Sequence, residues 1–73
     1  MNLRNNNIYS INLKGNKNLK TLNVKDNYLT KLDISANTKL TSIDCRGNSL
    51  TSLNLKSCPG VSVTCDGGVT IIH

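Results

Sequence analysis

The apolar residues of this chain recur in one short phrase, apolar-x-apolar-x-x-Asn. It reads Ile11-Asn12-Leu13 then Asn16, Leu22-Asn23-Val24 then Asn27, Leu32-Asp33-Ile34 then Asn37, and Ile43-Asp44-Cys45 then Asn48. Leu3 with Asn6 begins the series, Leu53-Asn54-Leu55 with Cys58 continues it, and Val63-Thr64-Cys65 with Gly68 closes it. The polar markers at 6, 16, 27, 37, 48, 58 and 68 are separated by 10, 11, 10, 11, 10 and 10 residues. After Asn6, Asn27 and Asn48 the next apolar residue comes two places on, at Ile8, Leu29 and Leu50; after Asn16 and Asn37 it comes three places on, at Leu19 and Leu40. The unit is therefore about 21 residues with a near-copy nested inside it.

Alternating side chains of a strand point to opposite faces, so Leu22 and Val24 go inward while Asn23 points out. One pass of chain cannot bury such a stripe alone; stacking passes about 4.8 Å apart buries it and pairs the backbone in parallel. The pattern predicts one ladder from residues 1–3, 22–24, 43–45 and 63–65, and a second from 11–13, 32–34 and 53–55 extended by Val69-Thr70-Ile71-Ile72. Helix should be nearly absent, because Asn, Thr, Ser and Gly fill the connections and no period of 3.6 residues survives. The turns leave backbone groups that need partners, and an Asn side chain can both donate and accept. Asn6, Asn27 and Asn48 on one side, with Asn16, Asn37 and Cys58 on the other, are the expected rungs of a structural Asn/Cys ladder.

The core pattern LxxLxLxxN/CxL is matched by Leu19-Leu22-Val24-Asn27-Leu29 and by Leu40-Ile43-Cys45-Asn48-Leu50. On these residues the chain resembles the leucine-rich repeat family, and most closely its nested 21-residue class, sometimes called IRREKO, common in bacterial surface proteins. The resemblance spans residues 1–68. It implies a leucine-rich repeat solenoid of about three and a half coils, in one domain over residues 1–73, with 59–73 as its C-terminal edge. It also implies an extracellular or cell-surface setting and a role in binding protein. Solenoids carry polar caps on their terminal coils, yet this chain begins in the strand-like Met1-Asn2-Leu3. Either it starts part-way along a longer array or its first coil is covered by another molecule. The family's usual array length favours the first, and the uncapped coil invites self-association.

Composition narrows the chemistry. Hydrophobic residues make up 37% of the chain with no Phe or Trp, so the core must be aliphatic. Nine Lys and Arg against four acidic residues give a formal charge of +5, but the basic residues are scattered singly, which argues against a nucleic-acid-binding tail. Cys45, Cys58 and Cys65 are odd in number and lack CxxC spacing, so neither a zinc site nor a disulfide framework is expected. Cys45 and Cys65 fall in one inward column one coil apart, close enough in principle for a disulfide, but their nearly parallel side chains suit bridging poorly and they read as core thiols. No apolar run is long enough for a signal peptide or a membrane span, so no membrane insertion is expected.

No nucleophile with a base, paired carboxylates or metal cluster is visible, so no enzyme, cofactor or metal is expected. The single His is His73, read as a frayed chain end. Asp33 and Asp44 fall on opposite ladders, and Asp26 and Asp66 at different strand offsets. Tyr9 and Tyr28 fall at different offsets on turns, which leaves the sheet face without an aromatic hot spot. What remains is the outward face, where Asn2, Asn23, Asp44 and Thr64 stack beside Arg4, Lys25, Arg46 and Asp66. The candidate binding residues are Arg4, Asn23, Lys25, Asp44 and Arg46. Three readings stay open: protein recognition across this sheet, binding of acidic glycan or nucleic acid along the Arg4-Lys25-Arg46 column, or a purely structural role within a longer adhesin-like array. The plainer reading of that column, and the one favoured over anion binding, is that its cations are solvated residues that discourage aggregation.

Overall fold

The computed structural model describes residues 1–72 of the chain; the reading of His73 lies outside the described residues. Five three-residue strands are present: β1 (Thr21–Asn23), β2 (Ser42–Asp44), β3 (Ser52–Asn54), β4 (Ser62–Thr64) and β5 (Thr70–Ile72). They form two parallel sheets, β1-β2-β4 and β3-β5, and no helix occurs among the described residues. It follows that no helix there is long and apolar enough to cross a membrane.

The first sheet follows the repeat. Leu22 faces Ile43 and Ile43 faces Val63, so partners lie 21 and then 20 positions apart, and Asn2 adds an isolated bridge to Asn23. Each strand begins one residue before the expected apolar pair. Its pairing nevertheless runs on past the strand: the Leu3 amide donates to Asn23 O at 2.7 Å, Val24 to Asp44 O at 2.9 Å and Cys45 to Thr64 O at 3.0 Å.

The second expected ladder is only partly formed. Residues 53–55 and the terminal segment do pair, as β3 and β5, with Leu53 facing Ile71. Residues 11–13 and 32–34 are not strands, although Leu13, Leu32 and Ile34 are buried as the pattern requires. The turn that follows them is the same as the one that follows β3: the Asn16 amide donates to Leu13 O and the Asn37 amide to Ile34 O, both at 3.0 Å. Period-two alternation says which side chains go inward. It does not by itself bring two segments to ladder distance.

The core is aliphatic. Leu13, Leu22, Val24, Leu29, Leu32, Ile34, Leu40, Ile43, Leu50, Leu53 and Leu55 are buried together with Cys45 and Cys58, and every one sits at a repeat position. Burying such a Leu, Ile or Val is worth about 1.5–3 kcal/mol. The apolar residues of the first and last passes, Leu3, Ile8 and Ile11 at one side and Val61, Val63 and Ile71 at the other, pack against this core only partly buried.

Candidate functional site

The asparagine positions divide into two kinds. Asn27 donates through Nδ2 to Leu3 O at 2.9 Å and Val24 O at 2.8 Å, while its Oδ1 accepts the Asn6 and Ile8 amides, each at 3.0 Å. Asn48 repeats this one pass on, donating to Val24 O at 2.9 Å and accepting the Leu29 amide at 3.0 Å. On the other side Asn37 donates to Leu13 O at 3.0 Å and Asn16 O at 2.9 Å, but its buried Oδ1 has no partner among the described residues. The Asn6 and Asn16 side chains make no such bonds among the described residues; these two expected rungs act through their backbone, as the donor to Asn27 and the acceptor from Asn37. Each belongs to the first pass, and the side chain reaches back to the pass before its own.

Cys58 replaces Asn where little is asked of the side chain. On that side the turn satisfies itself through Cys58 amide to Leu55 O at 3.1 Å and Val61 amide to Cys58 O at 3.0 Å, as at Asn16 and Asn37. Burial pushes the Cys58 thiol pKa up.

The outward face of the first sheet carries a shallow groove of about 340 Å³. One row of its lining is Thr21, Ser42 and Ser62; the next is Asn2, Asn23, Asp44 and Thr64, with Met1 at one end. Beside these rows the Asn5 amide donates to Lys25 O at 3.0 Å and the Asp26 amide to Arg46 O at 2.9 Å, which sets Arg4, Lys25 and Arg46 level with one another. Of the five expected binding residues, Asn23 and Asp44 line the groove, and Arg4, Lys25 and Arg46 stand level with one another beside it.

Asn23 and Asp44 also have a structural task that the outward-facing reading overlooked. Asn23 Oδ1 accepts the Lys25 amide at 3.0 Å, and the same two-residue turn recurs at Asn2, Asn12, Asp33, Asp44 and Asn54. Asp and Asn close such turns because their short side chains reach the backbone two places on. The signal was visible as Asn or Asp in the middle of nearly every apolar-x-apolar phrase.

Asp44 additionally holds Arg46 through Nε at 3.0 Å and Nη2 at 2.8 Å. The Arg46 hydrogen bond lowers the Asp44 carboxyl pKa against an opposing desolvation, and Asp44 in turn raises that of Arg46. The cation row is therefore partly neutralised at Arg46. Asp66 adds to this end, accepting the Gly47 amide through Oδ2 at 3.0 Å. Sequence arithmetic separates Asp26 from Asp66, yet both approach Gly47 in the fold.

The tyrosines need a correction. Their offsets differ and neither lies on a strand, but the rings stack, with centroids 5.1 Å apart and planes 24° apart. At this corner the Tyr28 amide donates to Ile8 O at 2.8 Å and the Asn27 side chain reaches back 19 residues to Ile8. The local register is 19 and not 21, which sets Tyr28 level with Tyr9. Among the described residues no group of three or more His, Cys, Asp or Glu side chains could hold a metal ion.

Compared with protein-family models, with curated proteins and with solved structures, the chain matches none.

Proposed function

We propose that the chain is a non-catalytic leucine-rich repeat solenoid that recognises protein through the outward face of its first sheet, and that its partner offers an extended acidic segment. The observation that carries this is the groove across β1, β2 and β4, together with how its hydrogen-bonding capacity is spent. Oδ1 of Asn2 and of Asn23 is committed to a backbone amide and both Asp44 oxygens are committed to Arg46. What the lining still offers is the amide donors of Asn2 and Asn23 and the hydroxyls of Thr21, Ser42, Ser62 and Thr64, which can donate as well as accept, beside the cations of Arg4 and Lys25. Such a face complements a ligand rich in carbonyl and carboxylate oxygens. The lining has no aromatic ring on which a sugar could stack, which favours polypeptide over acidic glycan.

Adding oligoglutamate to the isotopically labelled chain should shift the amide resonances of Thr21, Asn23, Ser42, Asp44, Ser62 and Thr64, and Lys25→Glu should abolish the shifts. Shifts with an oligouronate and none with the peptide would select the glycan reading. No shift with either would remove recognition of anions by this face.

A purely structural role as coils of a longer array is the other reading. It draws on the half-buried apolar residues Leu3, Ile8, Val61 and Val63, which a further coil or a second copy would cover.

A further inference from the structure

Cys45 and Cys65 lie level with each other on neighbouring passes of the first sheet. Asp44 is paired with Thr64, and the Cys45 amide donates to Thr64 O at 3.0 Å immediately before them. Parallel neighbours stand about 4.8 Å apart, inside the span of about 4.4–6.8 Å between the Cα atoms of bridged cysteines. The Cys45 thiol already leans toward β4, donating to Thr64 O with the sulfur 3.6 Å away. Both thiols are free. Level side chains on parallel strands project side by side, so closure requires one of them to swing. Here β4 is the outer strand of its sheet, and past Cys65 the Gly47 amide is met by the Asp66 side chain and not by backbone. Cys65, half-buried at this outer strand, has a neighbouring pass on one side and is the member of the pair with room to make the adjustment. Cys58 belongs to the turn on the opposite side and takes no part.

We propose that Cys45 and Cys65 are a redox-responsive thiol pair whose oxidation to a disulfide fastens the outer strand β4 to β2. The reaction begins at Cys65, which is half-buried, whereas Cys45 is buried and its pKa is pushed up to about 12, chiefly by desolvation. The Cys65 thiolate attacks one sulfur of a small-molecule disulfide, expelling one thiolate and leaving a mixed disulfide on Cys65. Cys45 then releases its proton, attacks the Cys65 sulfur and expels the second thiolate. The two cysteines are oxidised together and the small-molecule disulfide is reduced to two thiols. Because the buried thiol is rarely ionised, the second step should be slow at neutral pH and faster as pH rises.

The test is incubation of the 73-residue chain with oxidised glutathione, followed by thiol counting, intact mass and peptide mapping. The expected result is the loss of two thiols together, a monomer lighter by two hydrogens, a single Cys45–Cys65 crosslink and a free Cys58. Cys65→Ser should keep both remaining thiols under the same treatment, and Cys58→Ala should leave the crosslink unchanged. Persistent glutathione on Cys65 with Cys45 unreacted would overturn the proposal. So would a disulfide-linked dimer as the sole product, no loss of thiol at all, or an internal crosslink that survives in Cys65→Ser. The outcome does not depend on whether the sheet face binds a partner.

Discussion

At the scale of single residues, the repeated Asn positions look equivalent in the sequence and are not equivalent in the fold. Asn27 supplies the acceptor for the Asn6 and Ile8 amides, and Asn48 that for the Leu29 amide beside a fully buried side chain. Removing either leaves donors with no partner, at about 1–3 kcal/mol for each group that water cannot reach. The carbonyls that Asn37 serves, Leu13 O and Asn16 O, already accept the Asn16 and Leu19 amides. Asn27→Ala should therefore lower stability by about 2 kcal/mol or more, and Asn37→Ala by distinctly less, in urea denaturation of both variants. Equal losses would mean that the division into two kinds is wrong. Asp44 and Asp33 support a second prediction. The Arg46 hydrogen bond holds Asp44, and hydrogen bonds from Ser35 hold Asp33, below the ordinary carboxylate pKa. A carboxylate depressed in the folded state adds stability above the unfolded value of about 3.9 and loses it as pH falls through the folded value. Urea midpoints should therefore fall as pH is lowered past about 4, and less steeply in Asp44→Asn, which keeps an acceptor for the Arg46 amide but does not titrate. An unchanged slope would show that this pair has no part in acid sensitivity.

At the scale of elements, the turn after each strand of the first sheet determines which residues its corner can carry. Asn5, Asp26 and Gly47 occupy corresponding places on successive passes and share a left-handed backbone, with φ of 58°, 58° and 70°. Asn, Asp and Gly are the residues that enter this region most readily. Gly47 is constrained twice, because an added Cβ would run into the Asp26 carboxylate and come within 3.1 Å of the Asp26 Cα and N. Gly47→Ala should cost on the order of 1–3 kcal/mol from the backbone conformation alone, more if Asp26 cannot retreat. Thermal melts of Gly47→Ala beside Gly15→Ala, where nothing lies within 4 Å, give the comparison, and similar melting of the two would refute the crowding argument. The same corner explains why the tyrosine stack was missed. A constant repeat of 21 cannot reveal that local pairing there changes to 19, since the change depends on how Asn27 folds its side chain back to Ile8. The turn chemistry does not account for the absent strands at 11–13 and 32–34, because Asn12 and Asp33 close their local turns in the same way as Asn23, Asp44 and Asn54, which lie in strands.

At the scale of the whole molecule, the core runs through the middle passes and thins toward both ends, since a residue in an outer pass has a neighbour on one side only. Val24 and Ile43 are buried, whereas Leu3 and Val63, at corresponding places in outer passes, are partly exposed. That gradient is also what leaves Cys65 accessible while Cys45 is sealed. The chain's own order of residues determined the inward apolar column, the scarcity of helix and the 21-residue spacing of the first sheet, because each follows from side-chain alternation and from residues that favour turns. It also placed Arg4, Lys25 and Arg46 in one column, since equal spacing in a parallel stack means neighbouring positions. Only the tertiary structure decided which asparagines accept as well as donate, that Asp44 spends its oxygens on Arg46, that Tyr9 meets Tyr28, and that a second ladder forms only between β3 and β5. Those outcomes turn on ångström-scale differences in where a backbone amide points, and a repeating pattern of residue types carries no information at that scale.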